Sequence, residues 1–142
     1  MNKFRVYLAG AMSNLSFEEM NNWRVKATKL FKQYPDNIHT INPVVHYNFE
    51  MDRNSYTDKE VKEFDLYHIK NSNIILVNLD HPNSIGTAIE LECASRFWNI
   101  PIIAFGGENY FVHPWIKECV IKYCENLEEA VEHIVEYYFV NF

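Results

Sequence analysis

The sequence predicts an α/β protein: one domain holding a doubly wound, flavodoxin-like or Rossmann-like, five-stranded parallel sheet with helices on both faces. Three observations carry this expectation. Short apolar runs rich in strand formers alternate along the chain with stretches of helical periodicity. The run Ile74-Ile75-Leu76-Val77 is apolar without a break, as suits a strand covered on both faces. The 142 residues, 48% of them hydrophobic, can bury a real core and leave little room for a second domain.

Each element follows in order. Residues 4–9 form the first strand, and Gly10 ends it. From Ser16 onward, Phe17, Met20, Ala27, Leu30, Phe31 and Tyr34 recur at helical spacing; Ser16 and Glu19 form a capping box, and Pro35-Asp36-Asn37 stops the helix. Residues 39–45 read as a second strand with its exit at Pro43, followed by a polar loop with His46, Tyr47, Asn48 and Asp52. Thr57 and Glu60 make another capping box for a helix reaching about Ser72, and residues 74–77 are the third strand. A helix over residues 84–98 precedes a fourth strand at 100–105, closed by Gly106-Gly107. A short helix at 114–119 and a fifth strand at 120–123 follow. Asn126 and Glu129 then cap a last helix with Leu127, Ala130, Val131, Ile134 and Tyr138 on one side.

Composition narrows the function. Thirteen Lys and Arg against 19 Asp and Glu leave a formal charge of −6, which argues against a nucleic-acid backbone or an anionic membrane as partner and favours a small molecule. Of three cysteines without Cys-x-x-Cys spacing, two lie in apolar segments and read as buried free thiols. The six histidines lack metal-ligand spacing, so no metal is expected. No secretory leader and no apolar run of spanning length is evident, so a cytoplasmic location is expected. Gly-x-Gly-x-x-Gly after strand one, a P-loop and a Gly-x-Ser-x-Gly elbow are all missing, and Ser13-Asn14-Leu15-Ser16 matches a flavin phosphate loop only thinly. No cofactor is expected. The only four glycines, Gly10, Gly86, Gly106 and Gly107, all fall at the carboxyl edge of the predicted sheet, where such sheets bind ligands.

Carboxylates remain as chemistry. Glu90 lies one to two turns into the helix that begins at this edge, where the positive helix end favours an ionised, nucleophilic carboxylate and Gly86-Thr87-Ala88 leaves room for a substrate. The same residues also fit an ordinary helix glutamate on a closely packed helix. Asp65 shares a helical stripe with Val61, Phe64, His68 and Ile69, so it is either a proton donor at an apolar border or a solvated acid at the stripe's margin. Tyr7, in the first strand, is either a core residue or a phenol placed to hydrogen-bond a carboxylate. A nucleophilic carboxylate beside a proton-donating one is the constellation of retaining glycoside chemistry.

At these residues the chain resembles the nucleoside 2-deoxyribosyltransferase family. The resemblance rests on Val6-Tyr7-Leu8-Ala9-Gly10, on residues 65–72, on Gly86-Thr87-Ala88-Ile89-Glu90, and on Ile100-Pro101-Ile102-Ile103. It implies that Glu90 attacks C1′ of a 2′-deoxynucleoside, that Tyr7 orients Glu90, and that Asp65 assists departure of the base. A second base then takes the deoxyribosyl group from the covalent intermediate with retention. Gly10 and Gly86 would border the substrate, and Asn42 and His46 the base. The family forms homo-oligomers with active sites shared between subunits; His113, in Val112-His113-Pro114-Trp115-Ile116, is the residue expected to act in trans, and Tyr137, Tyr138, Phe139 and Phe142 to lie in the same interface.

Two departures qualify the match. Many of the transferases place aspartate six residues before the nucleophile, where this chain has Ser84, with Asp80 or Asn83 as replacements. Serine at that position resembles the 2′-deoxynucleoside 5′-monophosphate N-glycosidases, which implies that Ser84 helps hold a substrate phosphate, yet their phosphate-binding serine and arginine after strand one are here Ala11 and Ser13. His113 stands where asparagine or serine is usual. Base exchange is therefore the first expectation and nucleotide hydrolysis the second. A non-catalytic nucleotide-binding module comes third, because both carboxylates are present.

Overall fold

The computed structural model describes residues 3–34, 37–46 and 56–142. Pro35 and Asp36 of the expected helix stop, and Tyr47, Asn48 and Asp52 of the polar loop, lie outside them. Five strands, β1 (Phe4–Gly10), β2 (Ile38–Ile41), β3 (Ile74–Asn78), β4 (Ile102–Phe105) and β5 (Lys122–Tyr123), form one all-parallel sheet in the order β2-β1-β3-β4-β5. That order is flavodoxin-like, with the reversal between β1 and β3.

Alternation along the strands sorts side chains into two cores. Tyr7, Ala9, Ile75, Val77, Ile102 and Ala104 face one side, under α2 (Asp58–Lys70), α3 (Ile85–Glu92) and α4 (Pro114–Cys119). Val6, Leu8, Ile74, Leu76 and Ile103 face the other, under α1 (Phe17–Phe31) and α5 (Leu127–His133). Both capping boxes form as expected, Ser16 with Glu19 and Thr57 with Glu60. Asn126 caps α5 by accepting from the Glu129 N–H at 2.8 Å.

Several boundaries differ from the sequence expectation for local reasons. β2 stops at Ile41 because the Asn42 side chain accepts from the Val44 N–H at 3.0 Å, and Pro43 opens a 3₁₀ turn over Pro43–His46. β4 begins at Ile102 because Asn99 is left-handed (φ 51°), the Ile100 N–H bonds back to Ala94, and Pro101 has no N–H to give. β5 is shortened because the Val120 N–H is held by Lys117 at the end of α4. α1 ends at Phe31, and both α3 and α5 continue as wide π turns, over Cys93–Phe97 and Ile134–Phe139. All three cysteines are free, but only Cys119 is fully buried. No helix among the described residues is long and apolar enough to cross a membrane.

Candidate active site

A cavity of about 1020 Å³ opens at the carboxyl edge of β1 and β3, the reversal point of the strand order. Its walls come from the loop after β1 (Gly10 to Leu15), from α2 (Asp65, Leu66) and from the start of α3 (Ser84, Gly86, Thr87, Glu90). Gly86 faces open space, since a Cβ there would meet nothing within 4 Å, so the cavity keeps its width beside Glu90. Gly106, by contrast, is required by the backbone: it is left-handed (φ +82°), and a Cβ would come within 2.9 Å of the Asp80 carboxylate.

Tyr7 stands behind Glu90. Its buried hydroxyl donates to Glu90 Oε2 at 2.7 Å, joining β1 to α3 across 83 residues of sequence. Burial raises the Glu90 pKa to about 7, and the nearby Asp65 charge adds to the rise. The Tyr7 hydrogen bond and the Arg24 charge oppose it. The expectation that the helix end keeps Glu90 fully ionised is therefore corrected. Glu90 lies beyond the first turn of α3, where the dipole has faded and desolvation dominates. Tyr7 itself is pushed well above the usual phenol range, first by burial and then by Glu90 and Asp65, so it remains a donor. Asp65 is half-buried on the cavity wall, on the side of α2 turned toward Glu90.

Arg24 is the residue that reading the sequence missed. It is fully buried, and its guanidinium donates to the backbone carbonyls of Leu8 (3.1 Å), Met20 and Gly10 (3.0 Å) while lying 4.7 Å from the centre of the Trp23 ring. Burial lowers its pKa to about 10, and the charges of Tyr7, Glu90 and Asp65 raise it. The signal was available. Met20, Arg24, Ala27 and Phe31 share one buried helical stripe, and a cation inside such a stripe calls for partners.

The remaining candidates divide. Ser84 lies on the cavity wall and caps α3, accepting from the Thr87 N–H (3.2 Å) and hydroxyl (2.9 Å). Gly10, Ala11, Ser13 and Asn83 also line the cavity. Asp80 does not; its carboxylate accepts from the Gly107 N–H at 2.9 Å. Asn42 and His46 lie away from Glu90, on a second cavity at the β2 edge. His113 is exposed at the start of α4, where its Nδ1 accepts from the Trp115 N–H at 3.1 Å. Among the described residues, no three His, Cys, Asp or Glu side chains converge as a metal site requires.

Fold and site together define a flavodoxin-like α/β protein with a carboxylate-bearing cavity at its strand reversal. No protein-family model matches the chain, and no curated protein does. Among solved structures, the chain is similar to a 2-deoxyribosyltransferase from the psychrotolerant bacterium Bacillus psychrosaccharolyticus, with 22% identity, 96% of this chain and 94% of that one covered, and a TM-score of 0.72. It is also similar to a conserved protein from Enterococcus faecalis V583, with 15% identity, 94% and 98% covered, and a TM-score of 0.76. The fold is thus shared with a 2-deoxyribosyltransferase.

Proposed function

We propose that the protein exchanges the bases of 2′-deoxynucleosides by transferring the 2-deoxyribosyl group through Glu90. The observation that carries this reading is the Tyr7 to Glu90 hydrogen bond, with Asp65 on the same cavity wall, in a fold shared with a 2-deoxyribosyltransferase. Tyr7 engages Oε2 and leaves Oε1 to attack C1′. As the Oε1–C1′ bond forms, the C1′–N bond breaks with its electron pair going to the base nitrogen, and Asp65 delivers the proton. An incoming base then attacks C1′ from the face the first base left and gives its N–H proton to the Asp65 carboxylate, Glu90 departs as carboxylate, and the configuration is retained. None of these steps calls for a metal or a cofactor.

We also propose that the molecule works as a homo-oligomer. Phe111 and Trp115 are 76% and 79% exposed around His113, and Tyr137 and Phe142 are 60% and 61% exposed at the end of the chain. His113, outside its own cavity, is then placed to reach the cavity of a neighbour.

Two incubations test the activity: one with a deoxynucleoside plus a second free base, one with a deoxynucleoside monophosphate. A new nucleoside in the first is the expected result. Free base and deoxyribose phosphate from the second alone would instead identify a nucleotide N-glycosidase, a reading that Ser84 on the cavity wall keeps as the alternative. Glu90→Ala should abolish exchange by about 10³-fold or more while leaving the far-UV spectrum unchanged. Near-normal turnover in that variant would overturn the assignment.

A further inference from the structure

A second cavity, of about 680 Å³, runs along the outer edge of β2 and shares no lining residue with the Glu90 cavity. Lys3 and Arg5 reach it from β1 and the residues before it, Lys29 and Lys32 from the end of α1. No Asp or Glu is among its described lining residues, although acids outnumber bases in the chain by 19 to 13. None of these four has an ion pair among the described residues, where Lys26 pairs with Glu128 and Arg96 with Glu92. Lysines at a helix C-terminus or beside an edge strand have structural uses one at a time. Those uses do not explain why two separate elements send four cations to one concavity.

The frame holding them is ordered. Thr40 of β2 donates its hydroxyl to the Thr28 hydroxyl of α1 at 3.0 Å, and the backbone of Arg5 is fixed from both sides by Asn73 (2.8 and 2.9 Å). Arg5 pairs in register with His39, whose imidazole is held below its ordinary pKa by burial and then by Lys3 and Arg5. Rings form the other wall. His46 and His68 lie 4.8 Å apart at 36°, Tyr67 packs edge-on against His68 at 5.6 Å, and Tyr67 is 60% exposed. Among the described residues, His68 Nε2 is buried without a hydrogen-bond partner. Flat rings beside four cations suit a heterocyclic base carrying several phosphates, and the volume is that of a small-ligand site.

We propose that this edge cavity binds a nucleoside triphosphate, its phosphates among Lys3, Arg5, Lys29 and Lys32 and its base against His46, Tyr67 and His68. Four cations match the three to four negative charges of a triphosphate better than the charge of a single phosphate. The site does not depend on the proposed base exchange.

Calorimetric titration of the full-length protein at low salt with adenosine triphosphate, tripolyphosphate and adenosine tests it. The triphosphate nucleoside should bind, tripolyphosphate about tenfold more weakly, and adenosine not measurably at about 1 mM. The Arg5→Gln, Lys32→Gln double variant should lose at least about tenfold in affinity with its melting temperature unchanged. Whatever activity the protein has without nucleotide should also be unaffected, because neither residue belongs to the Glu90 cavity. The imidazole NMR signals of His39 and His68 should move on binding. Three outcomes would overturn the proposal: no binding, binding indifferent to the double variant, or displacement by a deoxynucleoside bound in the Glu90 cavity. Tripolyphosphate binding as tightly as the nucleotide would overturn the place given to the base.

Discussion

The proposed exchange needs Glu90 charged where water is scarce, and that conflict makes the proposal measurable. With its pKa at about 7, kcat/KM for the proposed base exchange should rise with pH through that value as Glu90 ionises. Tyr7→Phe removes a hydrogen bond that favours the carboxylate, so the rising limb should move to higher pH and the plateau should fall about tenfold or more. An unmoved limb would show that Tyr7 does not set the ionisation. Stability carries the same information. The folded pKa lies above the ordinary 4.5, so the fold favours protonated Glu90 and that contribution is fully present below about pH 4.5. It is lost as pH rises toward 7. Glu90→Gln, always neutral, should therefore unfold at higher denaturant than the wild type at pH 8, by on the order of 1–3 kcal/mol, and match it near pH 4. Urea melts at the two pH values decide this. The cavity positions of Tyr7 and Asp65 were legible from strand alternation and a helical stripe, and that of Glu90 from its place early in a helix that starts at the sheet's carboxyl edge. For Arg24 the helical stripe signalled burial but not its partners, which are main-chain carbonyls and carry no mark in a sequence.

Among the elements, α1 and β1 are fastened by Arg24 rather than by apolar packing alone. Gly10 contributes to that fastening: a Cβ there would press within 3.1 Å of the Trp23 ring and 3.3 Å of the Asn78 carbonyl. Arg24→Met fills the volume but leaves the Leu8 and Gly10 carbonyls without their guanidinium donor, and should cost about 2–4 kcal/mol in urea unfolding. Because the Arg24 charge favours ionised Glu90, the same variant should also raise the pH at which exchange switches on. A purely structural role would leave that pH unmoved. Helix starts were read correctly at Ser16, Thr57 and Asn126, where the cap is local chemistry within four residues. Strand ends were read too long at β2, β4 and β5. Apolar residues such as Val44, Ile100 and Val120 look like strand, but turns and helix ends claim their backbone groups first.

Over the whole molecule, the strand order gathers the proposed catalytic groups at one cavity and leaves Asn42 and His46 at another. The sequence placed those two near the base by resemblance alone, and nothing in their spacing says which side of β2 they face. Light scattering should report a mass above the 16.9 kDa of one chain if sites are shared. Mixing and re-assembling Glu90→Ala with His113→Ala should then restore exchange that neither variant has alone; a mixture no more active than its parts would show that each chain works by itself. The parallel sheet also sets an order in time. β1 precedes the other strands yet lies inside the sheet, with β3 about 70 residues downstream as its inner neighbour. During synthesis, Tyr7 and Arg24 therefore exist long before the strand and helix that complete their surroundings. The proposed site therefore stays incomplete until β3 and α3 have been made, and the proposed chemistry begins only after α3 has left the ribosome.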